Sequence, residues 1–311
     1  MLTSTFLLLA ISLLAQTSAN LKLNLEKNKV YHLNYSSEQS ISQTVNGNRQ
    51  NVEIQINYSI SLKMLDITPD FLITEVHFDS LITNTNQMGK KTIISSVIEG
   101  NIKSSEAADV MSAVMNHLTK SPLFVKLDFT GKPTEIINAK MVSDLVMKDT
   151  SDITIKGAVA ATLKNQISGV VSENSLKSMV EVFTAYLPGK QASKGDSWNV
   201  SQKTNAGGMP LVVDATYHVD GINSNTANIT AEANIKAPEN AVPIKSGSAT
   251  VSYDNLQGTS RTSYVIDINT GLIVDLKTKT HVAGNLGVSA PGVNMQIPME
   301  IDGESTVKAI K

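Results

Sequence analysis

Residues 52–64 alternate without a fault: Val52, Ile54, Ile56, Tyr58, Ile60, Leu62 and Met64 are apolar, and every residue between them, from Glu53 to Lys63, is polar. A period of two is the signature of a strand with one dry face and one wet face. At about 3.4 Å per residue the run reaches about 44 Å, more than twice the usual strand of about 17–20 Å. A strand of that length calls for a long antiparallel sheet. Its dry face must be covered, either by other parts of the chain or by a ligand.

The flanking sequence supplies partners. Residues 30–45 read as a strand that turns at Asn46-Gly47, a strong hairpin signal, into the long strand. Thr68-Pro69-Asp70 turns the chain back through residues 71–83, where Leu72, Val76 and Phe78 continue the alternation. A helical middle follows. Ala107, Val110, Met111, Val114, Met115 and Leu118 fall on one helical face, with Ser104 placed as the cap and Glu106 and Asp109 in the first turn. A second helix carries Leu176, Met179, Val180, Phe183 and Leu187 after a cap at Asn174, and Pro188-Gly189 stops it. Residues 149–169 are ambiguous, their alanines favouring helix against Ile153, Thr154, Ile155 and the glycines.

The last third reads as strands. Leu211 to Val219, Ile229 to Ile235, Leu272 to Val282 and Met295 to Ile301 all alternate, and turns are expected at Asp220-Gly221, Asn269-Thr270-Gly271, Pro291-Gly292 and Asp302-Gly303. The two strand-rich parts share a plan. Lys27-Asn28-Lys29-Val30-Tyr31 matches Lys194-Gly195-Asp196-Ser197-Trp198, and Asp128-Phe129-Thr130-Gly131 matches Asp267-Ile268-Asn269-Thr270-Gly271. Asn28 stands where the second copy has Gly195, and both residue types tolerate a left-handed backbone. Chance recurrence of strand composition is the alternative. The expected fold is α+β: long antiparallel β-sheets in two related units, at 20–190 with the helical middle and at 191–311, with a few helices packed on one face.

Residues 2–15 are nearly all apolar and end in the small and polar Gln16-Thr17-Ser18-Ala19, the pattern of a cleaved export signal over residues 1–19, although no Lys or Arg precedes it. The expected location is the periplasm or the cell surface, with no membrane-spanning stretch after cleavage. The chain has no cysteine, so no disulfide framework contributes, and stability rests on a core built from 41% apolar residues. A net charge of −2, with Arg49 and Arg261 as the only arginines, argues against nucleic acid as a partner.

The opening residues 23–31, the Tyr186-Leu187-Pro188 helix end, the Lys194-Gly195-Asp196-Ser197-Trp198 block and the turn at 267–271 together resemble a secreted bacterial family, domain of unknown function 6263, seen mainly in Bacteroidota-type envelopes. The resemblance covers most of the chain after the leader and departs at Asn28, where the family carries glycine. It implies export and a β-rich exported domain. It brings no activity and no catalytic residues.

Chemistry is sparse. His32, His77, His117, His218 and His281 are scattered without metal-ligand spacing on a helix. Glu75, His77 and Asp79 share one strand face, but three ligands on one flat strand rarely converge on an ion. Gly195-Asp196-Ser197-Trp198 lacks the flanks of a nucleophile elbow and a nearby His, so Trp198 is expected to anchor the core. No catalytic residue, cofactor or metal site is expected. The dry face remains, and flexible thioethers line it. Ile54, Ile56, Tyr58, Met111, Met115, Met179 and Phe183 are the expected lining of an apolar groove between sheet and helices, against the plainer reading that the methionines fill a core. The expected function is a non-enzymatic exported envelope protein that binds a lipid, another apolar ligand or an envelope protein partner. A structural or adhesive surface protein is the alternative, and a hydrolase with an unrecognised site comes third.

Overall fold

The computed structural model describes residues 18–310 except 46, 207–208, 239–240, 242 and 247–248. The expected leader lies outside them apart from Ser18 and Ala19. In chain order run β1 (Ser18–Leu21), β2 (Val30–Val45), β3 (Asn48–Ile67), β4 (Phe71–Gln87), β5 (Lys90–Ser95), α1 (Ala107–Thr119), β6 (Leu123–Asp128), β7 (Pro133–Ile136), α2 (Ala139–Asp149), α3 (Gly157–Val170) and α4 (Glu173–Glu181). There follow β8 (Lys190–Ser193), β9 (Ser197–Ala206), β10 (Met209–Ile222), β11 (Thr226–Lys236), β12 (Ile244–Ser246), β13 (Ala249–Asp267), β14 (Ile273–Ala290) and β15 (Val293–Ile310). The perfect alternation of residues 52–64 forms the middle of a strand of 20 residues.

Thirteen strands make one sheet in the order β7-β6-β4-β3-β2-β15-β14-β13-β11-β10-β9, with β5 beside β4 and β12 beside β13. β1 and β8 form a separate antiparallel pair. The two strand-rich parts of the chain meet where β15 pairs with β2 from Met299↔Gln43 to Ile310↔His32, so strands on both sides of residue 190 share one sheet. Asn28 (φ 64°) and Gly195 (φ 95°), equated in the two-copy alignment, both adopt the left-handed backbone.

The sheet is strongly curled. The turn between β6 and β7 and the turn between β13 and β14 would stand about 29 Å apart across a flat sheet, six spacings of about 4.8 Å. Yet Leu23 N–H donates to Phe129 O (2.9 Å), and its neighbour Asn24 donates to Thr270 O (2.9 Å) and, through Nδ2, to Asn269 O (3.0 Å). Both edges also reach one segment: Trp198 Nε1 on β9 donates to Tyr186 O (2.9 Å), and Leu187 N–H donates to Thr130 O (2.8 Å) at the β6–β7 turn. The sheet is therefore a trough, cinched at one end by residues 21–24 and 184–189.

Helices fill that end. Leu33, Ile60, Leu62, Leu72, Phe78 and Val125 from one flank and Val219, Ile229, Ile266 and Val307 from the other share one core with Val114, Leu118, Val146, Ile167, Leu176 and Phe183 of the helical segment. At roughly 1.5–3 kcal/mol for each fully buried side chain, this core is the main source of stability.

Several local expectations differ. Ser104 does not cap α1; its Oγ takes the Glu106 N–H, and Glu106 itself stands at the cap without a side-chain bond. Ser172, not Asn174, caps α4, accepting from Ser175 N–H (3.3 Å), and α4 ends at Glu181, leaving Phe183 and Leu187 in the turns that follow. The ambiguous stretch resolves into a 3-10 turn (Thr150–Asp152) and α3. Asp302-Gly303 is no turn. It lies inside β15, because both neighbouring strands complete its ladder: Gly303 pairs with Thr280 and with Gln39. Asp220-Gly221 sits at a bulge in β10, and the turn falls beyond it, where Asn223 Oδ1 accepts from Asn225 and Thr226 N–H.

Candidate ligand-binding site

Along β3 one face passes from closed to open. Ile60, Leu62 and Met64 are buried by the helical plug, whereas Val52, Ile54, Ile56 and Tyr58, in the same phase, are half-buried. Strand register extends these positions into rows across the inner face. One row runs Ile56, Ser37, Ser305, Thr278, Thr262, Ala231, Tyr217. The next runs Ile54, Gln39, Gly303, Thr280, Ser260, Ala233, Ala215, and the third Val52, Ile41, Ile301, Val282, Gly258, Ile235, Val213. The inner face thus carries a belt of hydroxyl and small side chains, bounded below by the plugged core and above by an apolar row. Leu211, Ile235, Leu256, Val282 and Met299 gather there into a second hydrophobic cluster, without any helix.

A cavity of about 380 Å³ lies over the belt, lined by Ser178, Glu181 and Tyr186 of the helical segment and by Gln202, Tyr217, Thr262 and Thr278 of the strands, among others. Its volume falls within the range of small-molecule sites. Aromatic rings frame its floor: Tyr35 packs edge-on against Phe183 (6.2 Å) and tilted against Tyr58 (6.1 Å), and Trp198 stacks on Tyr217 (5.2 Å). Thr262 and Thr278 share a hydrogen bond across the strands (2.9 Å). Burial pushes the phenols of Tyr217, Tyr264 and Tyr58 above their ordinary value. Burial likewise raises the Glu181 carboxyl, with Lys132 and Lys177 opposing it from outside the lining. Tyr186 Oη and Gln202 Oε1 are buried and find no hydrogen-bond partner among the described residues.

The seven expected groove residues divide. Ile54 and Ile56 lie in the trough beyond the core; Met111, Met115 and Phe183 are buried in the core, and Tyr58 and Met179 are packed against it. Sequence reasoning put Thr278 and Thr280 in the alternating phase of Leu272 to Val282 but missed the belt as a whole, because Ser37 and Gln39 look solvent-facing. The signal was their phase, two and four residues from Tyr35.

The wet face holds the histidine contacts. His77 Nε2 meets Glu75 Oε1 (2.6 Å), but Asp79 turns to Ser61 Oγ (2.7 Å), so Glu75, His77 and Asp79 do not converge. Among the described residues the side chains close enough to share a metal ion are His281, Glu300 and Asp302, exposed or half-buried. The Arg49 guanidinium, 3.6 Å from Glu300, already supplies positive charge there. Ser197 does have a histidine beside it, His218 on the paired strand (3.0 Å), contrary to expectation. That pair is exposed, and no carboxylate bonds the ring among the described residues, so the third member of a nucleophilic triad is missing. No described helix is long and apolar enough to cross a membrane.

The family model described as a family of unknown function (DUF6263) matches residues 70–273, well over half of the chain. The chain belongs to this family. No curated protein matches it. Among solved structures, one described by lipid–protein interactions in lipovitellin aligns over 93% of this chain with a TM-score of 0.51 and 9% identity, and this family member spans 26% of that chain. An outer membrane channel from Pseudomonas putida F1 aligns over 93% of this chain and 97% of its own at 8% identity, with a TM-score of 0.26. A DUF1329 family protein from Desulfovibrio piger ATCC 29098 covers 87% and 83% at 8% identity, with a TM-score of 0.16. The lipovitellin likeness is one of fold, and the other two carry no argument.

Proposed function

We propose that this DUF6263 protein is an exported, non-enzymatic carrier of a lipid or similar apolar molecule, held in the trough against β3 and the inner face of β10–β15. The observation that carries this reading is the change along one strand: the phase that is fully buried at Ile60 and Leu62 is half-buried at Val52, Ile54 and Ile56. Apolar side chains left in contact with water on a curved surface lower the free energy of an apolar guest by about 25 cal/mol per Å² buried. The fold likeness to lipovitellin, a protein described by its lipid–protein interactions, agrees with a sheet used in this way. The apolar run at residues 2–15, read as an export signal, supports an envelope location for the carrier.

Organic extraction of the purified protein followed by mass spectrometry tests the reading. Lipid in stoichiometric proportion to protein is expected. Recovery no greater than from a control protein purified alongside it sinks the reading.

A further inference from the structure

The carrier reading leaves the hydroxyl belt unexplained, because an all-apolar guest has no use for it. Buried polar atoms are ordinarily hydrogen-bonded, and an orphan costs roughly 1–3 kcal/mol. Here two orphans, Tyr186 Oη and Gln202 Oε1, line the same cavity, one from the segment after α4 and one from edge strand β9. The same lining carries Thr262, Thr278, Ser260 and Ser305, hydroxyls that both donate and accept. No Lys, Arg or His is among the lining residues, so a phosphate or carboxylate placed there meets no cation. A buried anion without a cation is heavily penalised. The ionisable carboxylic acid of the lining is Glu181, and burial raises its pKa, which weakens it as a counter-charge for an ammonium group.

We propose, resting on the carrier reading, that the belt binds the uncharged, hydroxyl-bearing headgroup of an amphiphile of the acylglycerol type, while its chain lies along Ile56, Ile54 and Val52. Gln202 Oε1 accepts from a headgroup hydroxyl, and Tyr186 Oη donates to or accepts from another. The rows support this placement. Ile56 and Ile54 are in register with Ser37 and Gln39, so the polar belt runs directly into the apolar flank across the β2–β3 ladder.

The test holds the chain constant and varies the head. Full-length protein, stripped of lipid, is titrated with 1-monooleoylglycerol, oleate and oleylamine. The reporter is the fluorescence of Trp198, the single tryptophan, stacked on the cavity-lining Tyr217. Saturable binding of monooleoylglycerol is expected, with oleate and oleylamine at least tenfold weaker. Gln202→Leu and Tyr186→Phe should each raise the monooleoylglycerol Kd roughly three- to tenfold, the effect of one lost hydrogen bond. Both variants should keep or raise the melting temperature, since each removes an orphan group. A purely structural role for these side chains would show the opposite. Equal affinity for the three amphiphiles, tighter binding of either charged one, or unchanged monooleoylglycerol binding in both variants overturns the headgroup inference and leaves the carrier reading standing. Failure of all three amphiphiles to bind overturns both.

Discussion

Glu181 shows how a single residue reports its surroundings. Burial at the cavity wall lifts its carboxyl above the ordinary 4.5, so the folded protein holds that proton more tightly than the unfolded chain does. Below the unfolded pKa both states are protonated and nothing is lost. As pH rises past 4.5 towards the folded value, the unfolded chain releases its proton first and stability declines. Glu181→Gln removes the titration, so the variant should gain on the parent between pH 4 and pH 7, measured as the difference in urea midpoints. A constant difference across that range would show that the carboxyl is as well solvated in the folded state as in the unfolded one. Some residues spoke plainly in the sequence. Asn28 and Gly195 were equated as left-handed positions, and both are, because their side chains or lack of one permit it. Asp302-Gly303 misled, because the turn-like composition reflects two faces of a strand: Asp302 points outward to His281 Nδ1 (2.8 Å), while Gly303 sits in the inner belt.

At the scale of an element, β3 divides its apolar phase between two tasks. Ile60→Ala should cost about 2–5 kcal/mol, the usual loss for a fully buried aliphatic side chain, with little change in lipid content. Ile56→Ala should cost about 1 kcal/mol or less, because water already reaches that side chain, and should lower the lipid recovered on extraction. Chemical denaturation and extraction on the same preparations check the pair; equal destabilisation by both would mean that the trough is as tightly filled as the plug. Elements of this kind were legible wherever one period ran without interruption, as in β3 and α1. The caps were not, since Ser104, Glu106, Ser172 and Asn174 are all plausible starts and three-dimensional context selects among them.

For the whole molecule, the alternation assigned most faces but failed at Val274, which is exposed while Ile273 is buried beside an irregularity in the β13–β14 register, and it could not order the strands, since a period of two says nothing about which strand lies alongside. The joining of the two strand-rich parts through β15 and β2 was therefore invisible, as was the curl that brings Phe129 and Thr270 to one short segment. That joint has a measurable effect. Residues 20–190 and 191–311 expressed separately should each expose a long unpaired edge, on β2 and on β15, and should aggregate or self-associate where the full chain does not. Sedimentation velocity would show it, and two monodisperse, folded fragments would refute it. The same joint sets a timetable. Because β15 zips onto β2, made long before it, the ribbon cannot close until β15 has been synthesised, so the newborn sheet keeps an open seam while the strands between are already laid down.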